Sequence, residues 1–326
     1  MAGRRVLITG VSSYLGTELA RRLESDPSIE YVAGLDTRPP RARLEKTEYI
    51  EADIRNPLIG RLIPQTAVDT VVHNQIVRRP GPAAHDINVI GSLQLLAACE
   101  KVETLRSIVV RGSAGIYGSE PAAPQFFTEE MARLYPLRTR FQRDVGEIEN
   151  YFETYSRRHP GVTCTMLRYQ PSIGPALDTQ ITRYLSLPVV PTFLGFDPRL
   201  QFIHEDDALG ALVAAVKKPV RGAVNVAAPG NIGLTRLVRM AGKVTLPLLP
   251  PAFGPAVAVG SRLGAIDFSP DFSRLLRYGR SIDITRLVED VGYTPAYSTA
   301  AAAEDYVTKQ SGRRLAPSMR QTVAGA

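Results

Sequence analysis

The stretch "ITGVSSYLG" (residues 8–16) joins an apolar run to a helical pattern, and its residue types suit a pyrophosphate. Gly10 permits a tight turn, and Gly16 permits close approach of helix to strand. Between them, Ser12, Ser13, Tyr14 and Leu15 would turn backbone N–H groups toward phosphate oxygens. Serine stands at position 13, where glycine would bring the backbone closest. Its Cβ costs approach distance, but its hydroxyl can return a hydrogen bond to phosphate. Asp36 ends the next apolar run, 20 residues beyond Gly16, where a carboxylate accepts the ribose hydroxyls of NAD. Arg38 would tolerate a 2′-phosphate, which keeps NADP open. An ordinary strand–turn–helix, with Asp36 capping a turn, is the competing account.

Such residues need a scaffold of alternating elements. The runs "RRVLITG", "YVAGLD", "DTVVH", "SIVVRGS" and "GVTCTMLR" predict buried strands. "LGTELARRLES" and "NVIGSLQLLAACE" have helical period, the first with Leu15, Leu19 and Leu23 on one face. Strands alternating with helices imply parallel pairing through right-handed crossovers, hence an α/β chain with a doubly wound, Rossmann-type sheet. Beyond about residue 170, proline-rich connections such as "SLPVVPTF" and "TLPLLPP" break the rhythm, with helices near 206–217 and 283–291. Residues 1–170 therefore read as a dinucleotide-binding domain with strand and helix returns near 200–228. Residues 171–312 read as a smaller, interleaved substrate region, and residues 313–326 as a flexible tail.

The totals narrow the function. A charge of +7 is dispersed in short pairs such as Arg4-Arg5, Arg21-Arg22 and Arg157-Arg158, with no basic stripe interleaved with aromatics. Anionic small molecules are the expected partners, and nucleic acid is not. Cys99 and Cys164 lack metal spacing and read as two reduced, buried thiols of a cytoplasmic protein, with no metal site. "MAGRRVLITG" enters a strand at once, leaving no room for a signal peptide. "FGPAVAVGSRLGAI" (253–266) is too short and too broken by Gly, Pro and Arg262 to span a bilayer. It reads as a surface helix covering a pocket.

Further segments resemble one family. "EADIRNP" (51–57) resembles the stretch whose Asp and following apolar residue, here Asp53 and Ile54, flank adenine. "VVHNQI" (71–76), with His73 and Asn74, resembles the strand end beneath the pyrophosphate. "NVIGSLQLLAAC" from Asn88 resembles "NVxGTxxLLxAA", and "GSAGIYG" with Ser113 resembles "SSxxVYG". "LRYQPSIGP" (167–175) resembles "LRxxNVYGP", "QFIHEDDALGAL" (201–212) resembles "DFIHVxDxxxA", and "DVGYTP" (290–295) resembles "LGWxP". The chain thus resembles an extended short-chain dehydrogenase/reductase of the NAD-dependent epimerase/dehydratase family, most closely a bacterial subgroup labelled UDP-glucose 4-epimerase-like.

The resemblance implies a tyrosine that moves a hydroxyl proton during hydride transfer. A lysine four residues later lowers its pKa, and a serine bonds the same oxygen. Ser113 matches the serine, and Glu149 matches a glutamate that follows the lysine by four. Counting back places Val145 at the lysine and Phe141 at the tyrosine. Alternatively Phe141, Val145 and Ile148 are only a core stripe at helical spacing, although no Tyr-x-x-x-Lys occurs between 113 and 170. Asp144, about 60° around a helix from Phe141, is a candidate substitute acid–base. Tyr135, Tyr169 and His204 are others. On the substrate side, Pro171 replaces the family's asparagine and Leu200 its arginine, with Arg199 adjacent and His204 following.

Three readings follow: an NAD(P)-binding protein without ordinary turnover, an active oxidoreductase or sugar-nucleotide epimerase with an unorthodox acid–base, or a scaffold without cofactor. Asp36, Asp53 and Asn88 weigh against the third. A nucleotide-sugar-like ligand is expected. So is a homodimer through helices near 88–100 and 143–157, with Val145, Ile148 and Phe152 as apolar contacts.

Overall fold

The computed structural model describes residues 3–77, 83–124, 126–255 and 268–315. Most of the stretch 253–266 and the residues beyond 315 lie outside that description, and with them the expected pocket-covering helix and most of the expected tail.

Seven parallel strands form the central sheet: β1 (Arg4–Thr9), β2 (Ile29–Asp36), β3 (Glu48–Glu51), β4 (Thr70–His73), β5 (Ser107–Ser113), β6 (Thr163–Tyr169) and β11 (Gly222–Val226). Their order is β11-β6-β5-β4-β1-β2-β3. The chain therefore moves outward from β1 to β3, then restarts on the other side with β4. That reversal opens a crevice at the carboxyl ends of β1 and β4.

Alternation along each strand sorts side chains to two faces. Val6 and Ile8 of β1 face α1 (Tyr14–Glu24) and α6 (Glu205–Lys217), with Val109, Leu167 and Val224 from neighbouring strands. Leu7 faces the other way, into a cluster with Leu95, Ile108, Ile148 and Phe152. This second cluster is covered by α2 (Ile59–Gln65), α3 (Gly91–Cys99) and α4 (Arg140–Arg158). Cys99 and Cys164 are free and buried there, and burial pushes the Cys164 thiol up to about 11.

A third cluster gathers Ile181 and Tyr184 of α5 (Gln180–Ser186), Leu237 of α7 (Leu234–Met240), and Phe272 and Leu276 of α8 (Pro270–Tyr278). Short strand pairs edge it: β7 (Ser172–Ile173) with β10 (Ile203–His204), β9 (Arg199–Leu200) with β12 (Ile232–Gly233), and β8 (Val189–Phe193) with β13 (Val244–Leu248). The last helix, α9 (Thr299–Leu315), continues through residues 313–315, where the sequence led us to expect a tail. Arg313, Arg314 and Leu315 are good helix formers, so the helix continues without an apolar period.

The expected dimer contacts on α4 need correction. Val145, Ile148 and Phe152 are each at most 3% exposed, taken up by the chain's own core. Ile90, just before α3, and Leu93 on it remain open to solvent. Among the described residues no helix is long and apolar enough to cross a membrane. No group of three or more His, Cys, Asp or Glu is placed to hold a metal there either.

Candidate active site

The turn after β1 is built as its glycines require. Gly10 has φ +72°, and a Cβ on Gly16 would run into the Gly10 carbonyl oxygen. Ser13 is the N-cap of α1: its Oγ accepts from the Gly16 N–H (3.0 Å) and donates to the Gly10 carbonyl (2.8 Å). Asn74 Nδ2 also donates to it, at 2.9 Å. The hydroxyl's one proton is thereby committed, which corrects the expectation that Ser13 returns a hydrogen bond to phosphate. What the turn offers instead is the N–H groups of Tyr14 and Leu15, which the first helical turn leaves without intrahelical acceptors. Both residues line a cleft of about 450 Å³.

At the end of β2, Asp36 is buried and tied to this turn. Its Oδ2 accepts from the Ser12 N–H (3.1 Å) and hydroxyl (2.7 Å), and its Oδ1 from the Thr37 N–H (2.8 Å). Arg38 is exposed and off the cleft wall, while Arg41 lines it and donates to the Ser12 carbonyl (3.3 Å). Asp53 is gripped by Arg55, whose hydrogen bonds hold its carboxyl below the usual range. Ile54 is buried against Gly91, leaving no room for a Cβ there.

The strand end beneath the turn serves as support. His73 is fully buried between Thr9 Oγ1 (2.8 Å at Nδ1) and Ser92 Oγ (2.9 Å at Nε2). Ser92 donates to the Asn88 carbonyl, so it accepts from Nε2–H, and Nδ1 accepts from Thr9. Desolvation pushes the imidazole down to about 4, so it stays neutral. Asn88 mimics a strand partner for Val77, accepting its N–H (2.8 Å) and donating to its carbonyl (3.0 Å). This fixes the backbone at the cleft edge, where Ile76 is a lining residue.

Ser113 closes β5 and lines the cleft, its Oγ accepting from the Gly115 N–H at 3.1 Å. Phe141, in the first turn of α4, lines it too. A Cβ placed on Gly115 would stand 3.2 Å from the Phe141 ring, 3.2 Å from Ser113 Oγ and 3.6 Å from Asp271 Oδ2, so these three groups surround one point. Val145 is sealed with Ala114, Ile116, Tyr117 and Phe127. The start of α4 is a capping box: Thr139 accepts from Gln142 N–H, and Gln142 Oε1 accepts from the N–H groups of Arg138 (2.8 Å) and Thr139 (3.0 Å). The same Gln142 donates through Nε2 to Asp271 Oδ1 at 2.9 Å.

The substitute acid–bases expected from sequence lie elsewhere. Asp144 is buried against the segment before α3, accepting from His85 Nδ1 (2.8 Å) and Asn88 Nδ2 (3.4 Å), and does not line the cleft. Tyr135 donates to the Ala122 carbonyl (2.6 Å), away from Ser113. His204 is fully buried as the N-cap of α6, stacked on Tyr297 and bonded to Asp305 (3.2 Å). Arg199 is exposed and reaches Asn231. Only Tyr169 and Pro171 of the remaining expected residues form cleft wall, and the Tyr169 hydroxyl is committed to the Ala208 carbonyl (2.9 Å).

With this geometry established, the likeness to known proteins is direct. The profile of the NAD dependent epimerase/dehydratase family matches residues 6–227. The chain belongs to the NAD-dependent epimerase/dehydratase family. An uncharacterised protein of Mycobacterium tuberculosis is 38% identical over 325 residues, covering 96% of this chain and 85% of its own. A putative UDP-glucose 4-epimerase of Methanocaldococcus jannaschii is 26% identical over 180 residues, covering 53% of this chain and 57% of its own. Among solved structures, the UDP-glucose 4-epimerase of Thermotoga maritima with UDP-glucose superposes with a TM-score of 0.73 at 19% identity, over 95% of this chain and 99% of that one. The UDP-glucuronic acid 4-epimerase of Bacillus cereus with NAD gives 0.70 at 17%, over 94% and 99%.

This epimerase/dehydratase-family cleft also draws on residues that no motif marks. Arg111 enters from β5, Asp271 from α8, and Arg280 from the segment after it. Arg280 is buried, donating to the Gly118 carbonyl (3.2 Å) and to Gln170 Oε1 (3.3 Å). Burial pulls its guanidinium below the ordinary value, and the nearby Asp271 charge opposes that. At the mouth, Arg183 Nε pairs with Asp178 at 2.9 Å. The sequence signal was thin: Arg111 interrupts an otherwise apolar strand two residues before Ser113, and the others carry none.

Proposed function

We propose that this protein binds NAD(H), and NADP(H) less tightly, without running the ordinary epimerase or dehydratase turnover of its family. The observation that carries this reading is Phe141, whose ring stands beside Ser113 where the family pattern has its tyrosine. Val145, one turn on, is 1% exposed in an apolar cluster where the pattern has lysine. A phenyl ring and an isopropyl group carry neither proton nor charge, so the general acid–base contribution of about 10²–10⁴-fold is lost.

The residues fit a dinucleotide. Gly16 lets α1 pack directly on the Gly10 carbonyl, the N–H groups of Tyr14 and Leu15 are available, and Asp36 stands within reach of the turn. Such a cofactor, when bound, supplies hydride exchange at its nicotinamide. Asp36 would hold ribose hydroxyls in competition with Ser12, and Asp53 and Ile54 would border the adenine. Arg41, rather than Arg38, would face a 2′-phosphate. Nucleotide-sugar ligands of the solved relatives support a nucleotide-sugar-like, anionic small molecule for the rest of the cleft. Arg280 and Arg183 favour negative charge there, while Pro171 and the core residue Leu200 withdraw two of the family's polar contacts. Two free, buried cysteines suit a reducing cytoplasm. Ile90 and Leu93 support a homodimer through the α3 side.

One observation favours a second reading, an active enzyme. The Asp271 carboxylate shares the pocket with Ser113 and could exchange a proton with a ligand hydroxyl there. The test is calorimetric titration of cofactor-stripped protein with NAD⁺, NADH, NADP⁺ and NADPH, alongside a UDP-glucose epimerisation assay. NAD(H)-selective binding that is lost in Asp36→Ala, with no epimerisation, supports the first reading. Failure to bind any of the four refutes it. Turnover that disappears in Asp271→Asn moves the conclusion to the second.

A further inference from the structure

We infer that Arg111 makes the cleft prefer the uncharged, reduced nicotinamide ring over the cationic, oxidised one; this rests on the dinucleotide reading above. Arg111 and Ser113 are two apart on β5, so both side chains leave the same face of the sheet. Strands β4 to β6 make the second half of the doubly wound sheet. A dinucleotide with its pyrophosphate on the 10–16 turn and its adenosine at Asp36 must lay its other half at their carboxyl ends. Arg111 lines the cleft together with Tyr14, Ser113 and Phe141.

Its charge is not offset. The guanidinium carbon lies 5.6 Å from the Tyr169 ring centre. Its Nε is buried without a hydrogen-bond partner, and among the described residues no carboxylate or carbonyl pairs with the group. Burial pulls its proton affinity down, yet an arginine side chain remains a cation at any ordinary pH. Arg280, which is buried where Arg111 is half-buried, has a carbonyl, a glutamine oxygen and the nearby Asp271 charge to answer it. Beside Tyr169, the cleft that Arg111 lines includes the apolar Leu15, Ile76 and Phe141, which screen a field poorly.

An unpaired, half-buried cation carries a desolvation cost, and a ligand that brings negative charge lowers it. The pyrophosphate does so for both redox forms. The two forms differ in the ring: the oxidised ring carries a positive charge and meets repulsion from Arg111, and the reduced ring carries none. A like charge within several ångströms at an effective dielectric near 20 weakens binding by about tenfold or more. By linkage, tighter binding of the reduced form raises the midpoint potential of the bound cofactor, by about 30 mV for each tenfold. Against the family pattern, the positive charge is missing at Val145 on the helix and present at Arg111 on the strand.

The experiment is calorimetry with three probes, NAD⁺, NADH and ADP-ribose, on wild type, Arg111→Met and Arg111→Lys. ADP-ribose lacks the ring and reports the rest of the site. We expect NADH to bind at least about tenfold more tightly than NAD⁺ in wild type. The ratio should collapse in Arg111→Met, persist in Arg111→Lys, and leave ADP-ribose affinity little changed. Wild type that binds ADP-ribose yet shows equal affinities, or favours NAD⁺, overturns this inference and leaves the cofactor reading standing. A ratio unchanged in Arg111→Met does the same. Should Arg111→Met fail to fold, Arg111→Gln removes the same charge. Absence of ADP-ribose binding to wild type overturns the cofactor reading itself, and this inference with it.

Discussion

Between α4 and β6, the Glu149 carboxylate meets the Arg168 guanidinium at two points, 3.0 Å at Nε and 2.8 Å at Nη2, with both side chains buried. Arg168 uses its two Nη1 donors on the Tyr117 hydroxyl (3.0 Å) and the Glu129 carbonyl (2.7 Å). Tyr117 in turn donates to Asn225 Oδ1 (2.6 Å). The network pins one face of α4 to the sheet. Val145 and Phe141 stand one and two turns earlier on α4, near that face.

Breaking this pair should be expensive. Glu149→Ala leaves a buried guanidinium without its anion and should cost about 3–5 kcal/mol. The joint replacement Glu149→Leu with Arg168→Met should recover much of that loss, since no charge is then stranded. Urea unfolding of the three proteins decides it. A single-variant loss below about 1 kcal/mol would contradict the account.

Placing tyrosine at 141 and lysine at 145 should be asymmetric. Phe141→Tyr puts a hydroxyl into a cleft that already holds Ser113 and Asp271, and its melting temperature should stay close to wild type. Val145→Lys drives an ammonium into the cluster of Ile116, Tyr117 and Phe127, and should destabilise by several kcal/mol. Thermal melts of both variants check this. A Val145→Lys protein as stable as wild type would mean that position 145 reaches solvent.

His73 gives a pH signature. Its pKa is pushed down to about 4 in the fold by burial, against an ordinary value of 6.5. Between those values the unfolded chain binds a proton that the folded chain refuses, so stability falls as pH drops through that window and is fully present above it. The contribution is about 3 kcal/mol at most. Stability measured from pH 7.5 down to 4.5 should lose part of this slope in His73→Gln. An identical slope would show that the acid sensitivity lies elsewhere.

Ser13 separates capping from phosphate contact. Ser13→Ala should cost about 1 kcal/mol through the lost N-cap, and Ser13→Gly only a few tenths. ADP-ribose affinity should hold or improve in Ser13→Gly, because the hydroxyl is already committed within the turn. A marked loss of affinity in that variant would return the hydroxyl to the phosphate.

Much of this was legible in the chain. Apolar runs alternating with helical patterns marked β1, β2, β4, β5 and β6, and the two glycines with Asp36 marked the crevice, because these features are local. The direction of Asp144 was not legible. Helical geometry put it near Phe141, but whether it joined the cleft depended on His85 and Asn88, contributed by a distant segment. His204 sat inside a recognisable segment, yet its position as a buried cap is set by Tyr297 and Asp305, far along the chain. Arg111, Asp271 and Arg280 come together from three segments that share no spacing, so only folding brings them together.

Gln142 closes the start of α4 with its carbonyl oxygen and holds Asp271 with its amide nitrogen. One side chain therefore couples a helix end to the cleft wall. A ligand that draws Asp271 inward must tug on the group shielding the backbone amides of Arg138 and Thr139. Those two amides form an intrinsic gauge of occupancy: their deuterium uptake would register what fills the cleft, with no label attached and no reaction required.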